Sequence, residues 1–153
     1  MMILVFLVFV LASFPAQASD KNGQKAVVFL LDVSGSMKTN DPNRYAIDSI
    51  AQLIYTLPTN YDVGFAAYSS ELSALQGFLG NSQRSRIMEA AQAVEYSGYS
   101  NPGAGLNEAV MMLKNSNAEE KDIILLSDGE ILMEDEETTS QSEEIYQKAV
   151  LEA

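Results

Sequence analysis

Asp32, Ser34 and Ser36 alternate near the end of the stretch Ala26 to Met37, AVVFLLDVSGSM, and bring one carboxylate and two hydroxyls into a single short loop. A second carboxylate, Asp128, closes a similar stretch, Ile123 to Gly129, IILLSDG. Oxygen donors of this kind suit a hard divalent cation, which takes its ligands from carboxylates, neutral oxygens and water. The sequence contains no His and no Cys. Imidazole acid–base chemistry, thiolate nucleophiles, zinc fingers and disulfides are therefore all excluded. Any metal must be held by oxygen, which favours magnesium, calcium or manganese.

Both carboxylates stand where an apolar run stops. Short continuous apolar runs are the pattern of parallel strands covered by helices on both faces. If both runs are parallel strands, their C-terminal ends share one edge of the sheet. Asp32 and Asp128 then meet in the crevice where open α/β sheets bind ligands. The simpler alternative for each is local: Asp and Ser satisfy backbone groups in turns, and Asp-Gly is ordinary turn chemistry after a strand.

The remaining elements follow in order. A strand over about Ala26 to Leu31 leads through the Ser-rich loop to Asp41-Pro42, a helix start with Asp41 as N-cap and Pro42 at the first helical position. Ala46, Ile47, Ile50, Ala51, Leu53, Ile54 and Leu57 follow at helical spacing until Pro58. Tyr61 to Tyr68 and Leu72 to Leu79 read as a strand hairpin. Asn81-Ser82 opens a helix carrying Ile87, Met88, Ala91 and Val94, and the loop SGYSNPGAG, Ser97 to Gly105, precedes another that buries Leu106, Ala109, Val110 and Leu113. The strand through Leu126 comes next, then an acidic run, Glu134 to Glu137, read as a solvated loop. A final helix is expected from about Ser142. The order β-α-β-β-α-α-β-α predicts an α/β fold, a doubly wound, mostly parallel sheet with helices on both faces. Because the chain stops on a helix where another strand is the natural next element, the domain is expected to be incomplete at its C-terminus. One edge of the strand ending near Asp128 is then left unpaired.

At 153 residues, with 47% hydrophobic and 20% charged residues, the chain has the composition of one globular domain. Its formal charge of −12 argues against nucleic acid, and equally against strong affinity for anionic membrane surfaces. Residues 1–18, MMILVFLVFVLASFPAQA, form an apolar block followed by the small-x-small pattern Ala16-Gln17-Ala18, which reads as a signal peptide cleaved after Ala18. The block is short of the roughly 20 residues a spanning helix needs. An exported protein, periplasmic or secreted, is expected, with residues 19–25 as a lead-in and 26–153 as the folded domain; an uncleaved anchor is the alternative.

Asp32-x-Ser34-x-Ser36 resembles the DxSxS motif of von Willebrand factor A domains. Ser100-Asn101-Pro102-Gly103-Ala104-Gly105-Leu106 is similar to that family's second loop, with Ser100 where Thr is usual and the hydroxyl retained. Leu126-Ser127-Asp128-Gly129 resembles its third loop. The likeness covers residues 25 to 153, about the first two thirds of such a domain. It implies a metal-ion-dependent adhesion site in which the hydroxyls of Ser34, Ser36 and Ser100 ligate Mg²⁺ or Mn²⁺, while Asp32 and Asp128 act largely through water. It also implies a protein partner whose Asp or Glu carboxylate completes the coordination, and no catalysis. Two other functions are set against this one. An envelope scaffold or assembly subunit would use the metal only structurally. A metal-dependent hydrolase with Asp32 as nucleophile would want a second carboxylate and a phosphate-holding base close by, where the chain offers Val33, Ser34 and only Lys38.

Overall fold

The computed structural model describes residues 23–129 and 131–152. The segment read as a signal peptide, residues 1–18, and the first part of the lead-in lie outside them. Among the described residues, no helix is long and apolar enough to cross a membrane.

Strand β1, Lys25–Asp32, is buried on both faces, which is why its sequence is apolar without alternation. Val27, Phe29 and Leu31 point to one side, into a core shared with Ile47, Ile50, Ile54, Ile87 and Ala91. Ala26, Val28 and Leu30 point to the other, against Leu106, Ala109, Val110 and Leu113. Phe29, Leu30 and Leu31 are all fully buried, each stabilising the fold by about 1.5–3 kcal/mol.

The helices supplying these two cores are α2, Tyr45–Thr56, and α3, Ser85–Ala93, on one face. On the other are α4, Pro102–Lys114, and α5, Glu136–Glu152. A short helix α1, Met37–Asn40, lies within the loop after β1. The other strands are β2, Tyr61–Tyr68, β3, Leu72–Leu79, and β4, Glu120–Leu126. Together they form a four-stranded sheet of order β3-β2-β1-β4. β1 pairs in parallel with β2 and with β4, and β2 pairs antiparallel with β3. The chain thus winds outward from β1 through β2 and β3, then crosses over to lay β4 on the other side of β1. This reversal makes the C-terminal ends of β1 and β4 a topological switch point, the place where ligands bind in such sheets. The expected mostly parallel, doubly wound sheet is present, with β4 at one edge.

Four boundaries differ from expectation. The helix expected to follow the loop Ser97 to Gly105 already begins at Pro102, inside that loop, because Asn101 caps it by accepting the Ala104 N–H. The helix expected at Asp41-Pro42 begins at Tyr45, because Arg44 takes a left-handed backbone (φ 59°) that breaks the helix before it. Asp41 still satisfies the helix terminus, accepting the N–H groups of Tyr45 (2.7 Å) and Ala46 (3.0 Å) from outside the first turn. Asn81–Gln83 form a separate 3₁₀ turn before α3 rather than its first turn, and Val94 lies just past its end. The acidic run is not simply a loop: Glu136 and Glu137 open α5, where their charge complements the helix dipole.

Candidate metal centre

Asp32 is the last residue of β1 and its side chain is fully buried. Isolating a carboxylate from water is costly unless donors surround it. Here they do. Oδ1 accepts the Ser34 N–H over 2.8 Å. Oδ2 accepts three hydroxyls, from Ser127 (3.0 Å), Ser100 (3.1 Å) and Tyr68 (3.2 Å). Burial pushes the Asp32 carboxyl above its ordinary value, and the hydrogen bonds from Ser34, Ser127 and Ser100 oppose the rise. Tyr68 is raised well above the usual phenol range by burial and by the charge of Asp32, so it remains a neutral donor.

The first loop turns immediately after Asp32. Ser34 is buried and Ser36 half-buried, and their hydroxyls share a hydrogen bond of 3.0 Å. The second loop is pinned to the first through the backbone. Ser97 N–H donates to Val33 O (2.6 Å) and Gly35 N–H donates to Gly98 O (2.9 Å). Gly98 has φ +78°, and a Cβ there would stand 2.8 Å from Ser70 Oγ, so this crossing needs glycine. A side-chain brace completes the attachment. Tyr96 donates its hydroxyl to Asp41 Oδ2 (2.7 Å), while the Arg44 guanidinium donates to Val94 O (2.5 Å) and lies over the Tyr96 ring. Ser100 follows, nearly fully buried, and Asn101 caps α4 by accepting the Ala104 N–H.

At the switch point Asp32 thus holds the backbone of Ser34 and the hydroxyl of Ser100, and Ser36 joins them through the Ser34 hydroxyl. Asp128 sits differently from the expected meeting of two carboxylates. The β1–β4 register ends at Leu31 opposite Leu126, so the residue level with Asp32 is Ser127, and it is the Ser127 hydroxyl that reaches the carboxylate. Asp128, one residue further and half-exposed, accepts a hydrogen bond from Asn40 Nδ2 at 2.8 Å, which ties the third loop to the end of α1. Ser127 and Tyr68 were missed as site residues. The register across three strand ends would have found both, since Tyr68 pairs directly with Asp32.

The donor set is one of oxygens, which suits a hard divalent cation. Among the described residues, no three His, Cys, Asp or Glu side chains converge where they could hold a metal, so a cation here would rest on hydroxyl oxygens. A serine that gives its proton to a carboxylate offers oxygen, not hydrogen, on its other side. Ser100 is so oriented by Asp32. With both Asp32 oxygens occupied by protein donors, that carboxylate is suited to act from behind the hydroxyls rather than as a direct ligand. A cation nearby would also oppose the rise that burial imposes on Asp32.

Comparison with known proteins supports the architecture. The profile of the von Willebrand factor type A domain family matches residues 27–130. No curated protein sequence matches the chain. Among solved structures the fold is similar to the PilB minor pilin from Streptococcus sanguinis, at 22% identity and TM-score 0.56 over 73% of this chain and 30% of that one. It is similar also to the vWF domain of the type V pili tip protein Mfa5 from Porphyromonas gingivalis, at 20% identity and TM-score 0.59 over 66% and 36%. A third is the pilus adhesin SpaC from Lactobacillus rhamnosus GG in its open conformation, at 21% identity and TM-score 0.60 over 70% and 15%. The chain spans about a third or less of the length of each of these structures. With the family profile matched from β1 through the third loop, the chain belongs to the von Willebrand factor type A domain family.

Proposed function

We propose that the chain is a divalent-cation-dependent protein-binding module of an exported adhesion protein. In this reading Ser34, Ser36 and Ser100 ligate Mg²⁺ or Mn²⁺ through their hydroxyls, Asp32 and Asp128 act through water, and a partner's Asp or Glu carboxylate takes a remaining position. The cation supplies the electrophile that draws the partner carboxylate; the chain's own residues hold and orient it. Neutral hydroxyl ligands leave most of the ion's charge uncancelled, which strengthens its attraction for an incoming anion. The observation that carries the reading is the buried Asp32 carboxylate orienting the Ser100 hydroxyl at the switch point, with the paired Ser34 and Ser36 hydroxyls on the adjoining loop. No catalytic role is assigned to any residue. The names of the similar structures, a minor pilin, a pili tip protein and a pilus adhesin, support surface export and adhesion.

The test is binding of a short Asp-containing peptide to the chain in Mg²⁺ and in EDTA. Binding should require the metal and be abolished in Ser34→Ala with the fold intact. Binding that ignores EDTA contradicts the reading. If Ser34→Ala instead lowers stability without a specific binding defect, the site is a structural metal centre in a scaffold.

A further inference from the structure

Ser100 and Leu132 face each other as an isolated antiparallel pair. Ser100 N–H donates to Leu132 O over 2.7 Å and Leu132 N–H donates to Ser100 O over 3.1 Å. Residues that exchange both bonds stand directly opposite, their side chains on the same face and their Cβ atoms about 4.5–5.5 Å apart. On that face the Ser100 hydroxyl turns inward to Asp32, and Ser100 is only 2% exposed. Leu132 is 54% exposed. A bare leucine on a protein surface is ordinary in itself. This one is held by backbone bonds beside a residue of the site. Its neighbour Met133 donates its N–H to Thr139 Oγ1 of α5 over 3.0 Å, so the segment is anchored on the other side as well.

Resting on the cation-and-carboxylate reading above, we propose that Leu132 is a specificity-determining residue: it receives an apolar side chain adjacent in sequence to the partner's coordinating Asp or Glu. An extended segment advances about 3.3 Å per residue, so a partner fixed by its carboxylate near Ser100 carries its neighbouring side chains within reach of Leu132. Charge alone serves this recognition poorly. The chain's net charge of −12 repels acidic segments as a whole. Apolar contact at the rim adds affinity that salt does not screen and that a merely acidic segment lacks.

The experiment compares two peptides, acetyl-Gly-Leu-Asp-Leu-Gly-amide and acetyl-Gly-Ser-Asp-Ser-Gly-amide, binding to the full chain in Mg²⁺, with Mn²⁺ affinity measured on each variant. The leucine peptide should bind about fivefold tighter, the size of effect expected from burying part of a leucine. That preference should vanish in Leu132→Ser, survive in Leu132→Met, and leave Mn²⁺ affinity unchanged in both. Equal affinity of the peptides for the unmodified chain overturns the proposal, as does a preference that persists in Leu132→Ser. Mn²⁺ binding with neither peptide bound overturns it too. Failure of Mn²⁺ itself to bind removes the metal reading, and this proposal with it.

Discussion

The ring of Tyr68 lies so close to Gly105 that a Cβ on that glycine would stand 2.4 Å from Cδ1 and 2.7 Å from Cγ. Tyr68 donates to Asp32 from the other end of the same ring, so a helix glycine sets the depth at which a site residue sits. Gly105→Ala brings two opposed effects. Alanine gains about 1 kcal/mol of helix propensity, while overpacking costs about 1–3 kcal/mol. Because the clash is with a buried ring at the sheet, the upper end of that cost applies, and the substitution is expected to destabilise the chain by about 2 kcal/mol in urea denaturation. A neutral or stabilising result would show that the ring moves freely and does not position Asp32.

Arg84 should behave as a structural cation. It is 6% exposed, and its guanidinium donates to the carbonyls of Leu57 (2.9 Å), Pro58 (2.6 Å) and Tyr61 (2.8 Å), with a longer contact to Ile54 O (3.4 Å). These carbonyls lie at the end of α2 and in the turn into β2. Arg84→Met leaves them without their charged donor, at a cost of about 2–4 kcal/mol. Arg84→Lys should recover only part of this, because one ammonium cannot reproduce the planar fork. Equal stability of the lysine and arginine forms would contradict the geometry.

The start of α5 carries a pH dependence of its own. Asp135 Oδ1 accepts the Thr138 N–H (2.8 Å) and the Thr138 hydroxyl (2.7 Å), and these bonds hold its carboxyl below the usual value. A depressed folded-state value means stability that is fully present above the unfolded carboxyl value, about 3.9, and lost as pH falls through the folded one. Asp135→Ala should therefore lower the urea midpoint at pH 7 and leave it little changed at the acid end of the transition. A deficit of the same size at both ends would assign the effect to something other than the carboxylate.

What could be read from the sequence was set by burial. β1 is covered on both faces, so Val27 to Leu31 form an unbroken apolar run and Asp32 stands out at its end. Ser34 and Ser36 were legible by type and spacing and Ser100 through the resemblance of its loop, whereas the cap at Asn101 was not read, although the Pro102 that follows it is a first-turn signal. Asp41 misled because it satisfies the helix from four and five residues away, across a left-handed Arg44 that no local signal announces. Ser127 and Tyr68 were hidden for another reason. Both gain their role only from strand register, and a tyrosine ending an apolar strand reads as core.

The central claim is tested most directly by thermal unfolding of the chain and of Ser34→Ala, each in EDTA, Mg²⁺ and Mn²⁺. At one hundred times the dissociation constant, a bound ion stabilises the fold by about 2.7 kcal/mol, or a rise in Tm of roughly 5–10 °C for a chain of this size. That rise is expected in the unmodified chain, with little or none in Ser34→Ala. A cooperative transition at the same temperature in EDTA and in saturating Mg²⁺ and Mn²⁺ would contradict it.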